Sequence, residues 1–181
     1  MSGPVDITLR PFGRSDFARL ISWLPTEAAH IDWCAGYFRY PLDDAQLERY
    51  LESGEVPNSR AIFVAETRSG DAVGHVEISH IWPHLSSRLS RVLVAPARRR
   101  GGVGMAMVGQ AISFSFDAHR VARIDVGVSQ DNVAAIGCYR KLGFEPVGTW
   151  KDAMVVGANS IDVCWMTIAR HDWSVRSGRS T

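Results

Sequence analysis

Hydrophobic and polar positions in this chain repeat with period two in some stretches and with helical spacing in others, and their order sketches a fold. Val5 to Arg10 alternates weakly, as a short strand ending at Pro11. Ser15-Asp16 offers an N-cap for a helix through Leu20 and Ile21 that stops before Pro25. Residues 26–41 fit neither period and are rich in rings, with Trp33, Tyr37, Phe38 and Tyr40 close together. Asp43 or Asp44 can cap a second helix to about Ser53, and Glu55 to Arg60 reads as loop. Ala61 to Glu66 is a buried apolar run. Ser69-Gly70-Asp71 marks a hairpin turn into a strand over Ala72 to Trp82, which Pro83 ends. Leu85 to Val94 is the next strand. Apolar residues at 103, 107, 108, 111 and 112 then predict a helix over Val103 to Asp117.

Arg123 to Val128 alternates again, and Asn132 to Leu142 is a helix closed by Gly143. Glu145 to Val155 and Ser160 to Ala169 predict a hairpin around Gly157-Ala158-Asn159. This order predicts an α+β fold with a mixed, mostly antiparallel twisted sheet flanked by helices. A single domain is expected over residues 1–172, followed by a polar, flexible tail over 173–181.

Composition changes this picture little. A chain of 181 residues with 46% hydrophobic and 22% charged residues has the balance of a globular domain. Twenty Lys+Arg against 19 Asp+Glu leave a formal charge of +1, far from the basic excess of a nucleic-acid coat. No apolar run is long enough to span a bilayer, and Met1 to Asp6 has neither the basic start nor the apolar block of a secretory signal. Cys34, Cys138 and Cys164 are odd in number and far apart, unlike a disulfide framework or a cysteine zinc site. The expectation is a cytoplasmic protein without a bound metal.

Candidate chemistry concentrates in Arg91 to Gly104, RVLVAPARRRGGVG, where a strand runs through a glycine-rich turn into a helix. The first N–H groups of that helix have no intrahelical partners, and with the positive end of the macrodipole they form an anion site suited to phosphate. Gly101, Gly102 and Gly104 let a ligand approach the backbone, and Arg98, Arg99 and Arg100 add charge beside it. A Walker loop would need GKS or GKT, and the dinucleotide pattern G-x-G-x-x-G fails because position 107 is Met.

A third pattern matches. Val94-x-Pro96-x-x-Arg99-x-x-Gly102-x-Gly104 resembles the acetyl-CoA pyrophosphate loop of the GNAT superfamily of N-acyltransferases. Asn132-x-x-Ala135-x-x-x-Tyr139-x-x-Leu142-Gly143-Phe144 resembles a second segment of that family, in the right order and on the expected element. The opening Leu9-Arg10-Pro11, with Asp16 and Trp23, resembles the ribosomal-protein N-terminal acetyltransferase branch and its small-molecule relatives. Family members often carry Gly-Lys or Gly-His where this chain has Arg100-Gly101, a difference that leaves the backbone N–H supply intact.

The resemblance implies a single GNAT-like domain that moves an acetyl group from the cosubstrate acetyl-CoA to a primary amine, by direct attack in a ternary complex. It places Leu93, Val94, Arg99, Arg100, Gly101, Gly102, Val103, Gly104 and Asn132 against the cosubstrate, with an N–H of Leu93 or Val94 stabilising the oxyanion if the strand splays from its neighbour. Asn132 is also explained as a helix cap. Tyr139 occupies the family's general-acid position, although on helix position alone it reads as a core residue beside Leu142 and Phe144.

The base is open between Glu77 through a water, His75 directly or as an orienting group, and water itself. Period-two alternation puts His75, Glu77 and Ser79 on one face of their strand, which is functional, paired or simply solvated. His75-x-Glu77 lacks the Pro-Cys-x-x-Cys that would make it a zinc deaminase signature. On the acceptor side, Asp32, Asp43, Asp44 and Glu77 would attract a cation, and Trp33, Tyr37 and Tyr40 would offer cation–π contact. The partners expected are an amine-bearing small molecule or a peptide N-terminus, with a homodimer left open and with neither nucleic acid nor membrane. The competing reading is a GNAT-like domain that binds acyl-CoA as a sensor without turnover.

Overall fold

The computed structural model describes residues 5–54, 59–81, 85–156 and 159–177. Seven strands form one sheet: β1 (Ile7–Pro11), β2 (Arg60–Thr67), β3 (Ala72–Ile81), β4 (Ser86–Val94), β5 (Arg123–Ser129), β6 (Glu145–Val156) and β7 (Asn159–Ala169). Their order is β1-β2-β3-β4-β5-β7-β6, and only β4 and β5 run parallel. Three helices fall between β1 and β2: α1 (Phe17–Ser22), α2 (Glu27–Cys34) and α3 (Asp44–Gly54). A crossover helix, α4 (Val103–Ala118), makes the parallel pairing possible. Two more helices, α5 (Val133–Leu142) and α6 (Arg170–Ser177), follow β5 and β7. This is the mixed, mostly antiparallel α+β architecture that the pattern predicts.

Both faces of the sheet are covered. On one, Val76, Ile78 and Leu89 pack with Met107, Ile112 and Phe144. On the other, Phe12, Leu20, Trp33, Leu47 and Tyr50 cover Ile62, Val64 and Leu93. Alternate residues of β2 serve opposite faces, with Ile62 and Val64 against α1–α3 and Ala65 against α4. A strand buried on both faces has no polar face to display, which explains the unbroken run at Ala61–Glu66.

The ring-rich stretch contains α2, capped by Thr26, whose Oγ1 accepts from the Ala29 N–H at 3.2 Å. It ends where Ala35 (φ 52°) and Gly36 (φ 78°) turn left-handed. Its inner face is His30, Trp33 and Cys34 at i, i+3 and i+4, so a histidine fills one of the positions that an apolar pattern needs.

Of the tail expected from Trp173, the described part is helical to Ser177. Trp173 packs on the core beside α4, and Arg170 donates to the carbonyls of His119 at 2.7 Å and Val121 at 2.9 Å. The strand end at Trp82, its stop at Pro83, the turn residues Gly157 and Ala158, most of the loop after Gly54 and the last four residues lie outside the described residues.

Candidate active site

β4 and β5 hydrogen-bond only where Ser86–Leu89 faces Arg123–Val126. Beyond Leu89 a bulge enters β4, because its register against β3 shifts between His75 and Glu77. Arg91 takes the left-handed conformation there, φ 49°. β5 meanwhile continues along β7 as far as Ser129. The two parallel strands therefore part at their carboxyl ends and leave a gap, the usual place for a ligand in such a sheet. Ala95 N–H donates across to Val73 O at 2.9 Å. Peptide groups alternate along an extended strand, so the Val94 N–H faces the gap, while that of Leu93 turns with Ala95 toward β3.

Above the gap, β4 passes through the short turn Pro96–Arg98 into α4. Arg100 (φ 60°) and Gly102 (φ 84°) are both left-handed, and Gly102, as N-cap, supplies no side chain to the first amides of α4. The first intrahelical bond is Ala106 N–H to Gly102 O at 3.1 Å, which leaves the amides of Val103, Gly104 and Met105 directed out of the helix end. Arg98, Arg99, Arg100, Gly101 and Gly102 are exposed around them. A Cβ on Gly104 would meet only Val94 Cγ2, at 3.5 Å, so packing does not exclude a methyl group there. The expected cosubstrate residues from Leu93 to Gly104 are thus contiguous, at the mouth of the gap.

α5 follows β5 and packs beside α4. Asn132 caps it, its Oδ1 accepting from the Ala135 N–H at 3.0 Å. Tyr139 is 5% exposed and packs against Phe144, with ring centroids 5.5 Å apart. Burial pushes its phenol well above the ordinary range, so it carries its proton at neutral pH.

His75 and Glu77 lie on the opposite face, under α1–α3, and both are completely buried. The solvated reading of this stripe is therefore corrected. Glu77 accepts from Arg91 Nη2 at 2.8 Å and Ser79 Oγ at 2.7 Å through Oε1. Through Oε2 it accepts from Arg91 Nε at 2.7 Å and Tyr50 Oη at 2.6 Å. Four bonds fill the four acceptor positions of a carboxylate. Burial pushes this carboxyl upward, but the charge and hydrogen bonds of Arg91 outweigh it and hold Glu77 below its ordinary range. In this arrangement Glu77 has no lone pair to offer a proton.

His75 Nδ1 donates to Arg91 O at 2.9 Å, a carbonyl that also accepts from Trp33 Nε1 at 2.9 Å. Burial lowers the imidazole to about 4, so it is neutral, and its Nε2 is enclosed without a hydrogen-bond partner. Both residues grip the bulge, one through the Arg91 side chain and one through its carbonyl. Tyr50, Arg91 and Arg60 complete this network and escape a sequence reading. The only trace they leave is an arginine inside an otherwise apolar strand end, LSRVLV.

Trp33 is a packing residue, stacked on Phe38 at 5.3 Å, and Asp43 caps α3 through Gln46 N–H at 2.8 Å. Leu9-Arg10-Pro11 and Asp16 serve the fold too. Arg10 holds Asp16 at 2.7 Å and Glu66 at 2.6 Å, tying β1 to the turn before α1. Among the described residues no three His, Cys, Asp or Glu side chains form a metal-binding group, and no helix is long and apolar enough to cross a membrane.

Residues 26–144 match the model of a family described as "Acetyltransferase (GNAT) family". The chain is 31% identical over 157 residues to aminoglycoside N(6')-acetyltransferase type 1 of Klebsiella pneumoniae, covering 79% of this chain and 76% of the relative. It is 31% identical over 99 residues to an L-amino acid N-acetyltransferase of Escherichia coli, covering 54% of this chain and 61% of the relative. In fold it matches the crystal structure of spermidine N-acetyltransferase from Vibrio cholerae in complex with CoA and spermine. The TM-score is 0.81 at 22% identity, over 93% of this chain and 98% of that one.

Proposed function

Since the chain belongs to the GNAT acetyltransferase family, we propose that it acetylates a small primary amine by direct attack on acetyl-CoA in a ternary complex. The observation that carries this reading is the gap between β4 and β5, ending on the uncapped amides of Val103–Met105. Phosphate oxygens of the cosubstrate accept from those amides, with Arg99 and Arg100 supplying charge beside Gly101 and Gly102. Asn132 both caps α5 and borders the same ligand.

Acetyl-CoA supplies a thioester, and the chain supplies what its breakdown needs. The Val94 N–H donates to the carbonyl oxygen as negative charge develops on it. Leu93 turns its N–H toward β3 and packs its side chain under α1–α3, so it supports the strand and leaves the carbonyl to Val94. As the C–N bond forms and the C–S bond breaks, the amine loses a proton to water, the sulfur gains one from Tyr139, and solvent then reprotonates the phenol. The buried phenol keeps its proton until the thiolate develops beside it, so position rather than acidity makes Tyr139 the donor. His75 and Glu77 hold the bulge that aims Val94, and water is the proton acceptor.

Each of the three relatives is named for an amine it acetylates, and none for a ribosomal protein. We therefore give the ribosomal flavour of Leu9-Arg10-Pro11 to the Arg10–Asp16 clamp and place the acceptor among small amines. The test is thermal unfolding with and without acetyl-CoA, followed by thiol release with amines. Ligand at 100 times its dissociation constant adds about 2.7 kcal/mol, or roughly 5–10 °C for a chain of this length. A shift with turnover supports the enzyme; a shift without turnover on any amine makes the chain a sensor; no shift removes the loop assignment.

A further inference from the structure

Arg60, Glu77 and Arg91 lie side by side across β2, β3 and β4 on the face that α1–α3 cover. Arg91 is held by Glu77 in a two-pronged pair, whereas Arg60 Nη1 stops at 3.9 Å from Glu77 and donates to Tyr37 Oη at 3.3 Å. Both guanidiniums sit over the Tyr37 ring, at 4.2 Å for Arg91 and 5.9 Å for Arg60. Among the described residues, Glu77 is the only carboxylate paired with either arginine. Two positive charges against one negative leave a net cation.

Asp32, Asp43 and Asp44, which the sequence offers as an anionic lure, are exposed and pair with neither arginine. The cluster beside Tyr37 is thus positive, whereas those three carboxylates offered by the sequence lie apart from it. Tyr37 is 50% exposed and the Arg60 side chain 21%, so the positive end is open to solvent. Arg91 is itself the bulge residue where β4 leaves β5, which sets this charge at the edge of the gap.

A polyamine or aminoglycoside brings further positive charge to this position, against repulsion. An amine that also carries a carboxylate brings the complementary charge, in the planar form that a guanidinium fork matches. Resting on the acetyltransferase reading above, we propose that the acceptor is a carboxylate-bearing primary amine of the α-amino-acid class, and that Arg60 binds its carboxylate. The reaction keeps its balance: amine and acetyl-CoA become amide and CoA, the amine proton passes to water, Tyr139 protonates the sulfur, and a proton from solvent restores the Tyr139 phenol.

The experiment compares kcat/KM for matched amines under saturating acetyl-CoA: α-amino acids, their carboxamides, spermidine and an aminoglycoside. The acids are expected to exceed their carboxamides by about tenfold or more, mainly through KM. R60Q should abolish that ratio, and R60K, which keeps the charge without the fork, should fall between. Thermal midpoints of both variants check that the fold is kept; if R60Q unfolds, R60K against wild type decides. Equal rates for acids and carboxamides, or turnover of spermidine or the aminoglycoside in preference to every acid, would overturn the proposal while leaving the acetyltransferase reading intact. Acetyl-CoA binding without turnover of any amine would instead remove that reading, and this one with it.

Discussion

Replacing Glu77 by Gln takes the counter-charge away from a buried guanidinium. Breaking a buried pair at one partner costs about 3–5 kcal/mol, and urea unfolding of E77Q should show a loss of that size. Because water, not Glu77, accepts the proton in the reaction proposed above, E77Q assayed below its unfolding transition should keep the wild-type pH–rate profile. Tyr139→Phe is the converse case. It removes a proton source and little else from a packed site, so turnover should fall roughly 10²-fold. Acetyl-CoA affinity, read by calorimetry, should change less than about twofold. The alternation of β3 shows in the sequence that His75 and Glu77 share a face. Their partners do not show, because Tyr50 and Arg91 stand 27 and 14 positions from Glu77 and meet it only after α3 and the bulge are in place.

At the scale of elements, the glycine turn and α4 separate charge from shape. Gly104→Ala adds only a methyl group with room beside Val94, so it should bind acetyl-CoA within a few-fold of wild type. Gly104→Asp puts an anion in the first turn of a helix, where the macrodipole favours it by about 0.3–1 kcal/mol. G104D should therefore be at least as stable as the parent without ligand and yet lose the stabilisation by acetyl-CoA, as paired melting curves would show. Strands and α4 are legible because each obeys a single period, and α5 is legible through its cap at Asn132 and its stop at Gly143 (φ 102°). α2 is not, since His30 takes an inner position, and the bulge at Arg91 is not, since a left-handed arginine leaves no mark on a pattern of apolar letters.

The whole molecule carries a pH dependence of definite sign. His75 binds its proton only near 4 when folded but near its ordinary 6.5 when unfolded. The unfolded chain therefore holds more protons in this window, and stability falls as pH drops from about 6.5 toward 4, by about 1.4 kcal/mol per pH unit for this one group. His80, lowered to about 4 by burial and then by the charge of His119, acts in the same direction. Glu77, held below its ordinary range, adds a further loss below the usual carboxylate pKa. Unfolding free energies between pH 4.5 and 7.5 should show the decline, and His75→Gln should make it shallower. Fold class follows from element order, while the closing helix needs tertiary contacts of Arg170 and Trp173 that no local composition reveals.

The parting of β4 from β5 also has a mechanical meaning. The sheet's own hydrogen bonds between the β1–β4 half and the β5–β7 half run through one ladder, Ser86–Leu89 against Arg123–Val126. Load applied across that seam meets a short row of bonds that ends where the gap begins. In the reaction proposed above, a cosubstrate lying between Val94 and β5 would extend the row and so would act as a splint as well as a donor. Single-molecule pulling across the seam would then register each loading event as a rise in rupture force, and amide exchange at Val94 would slow with it.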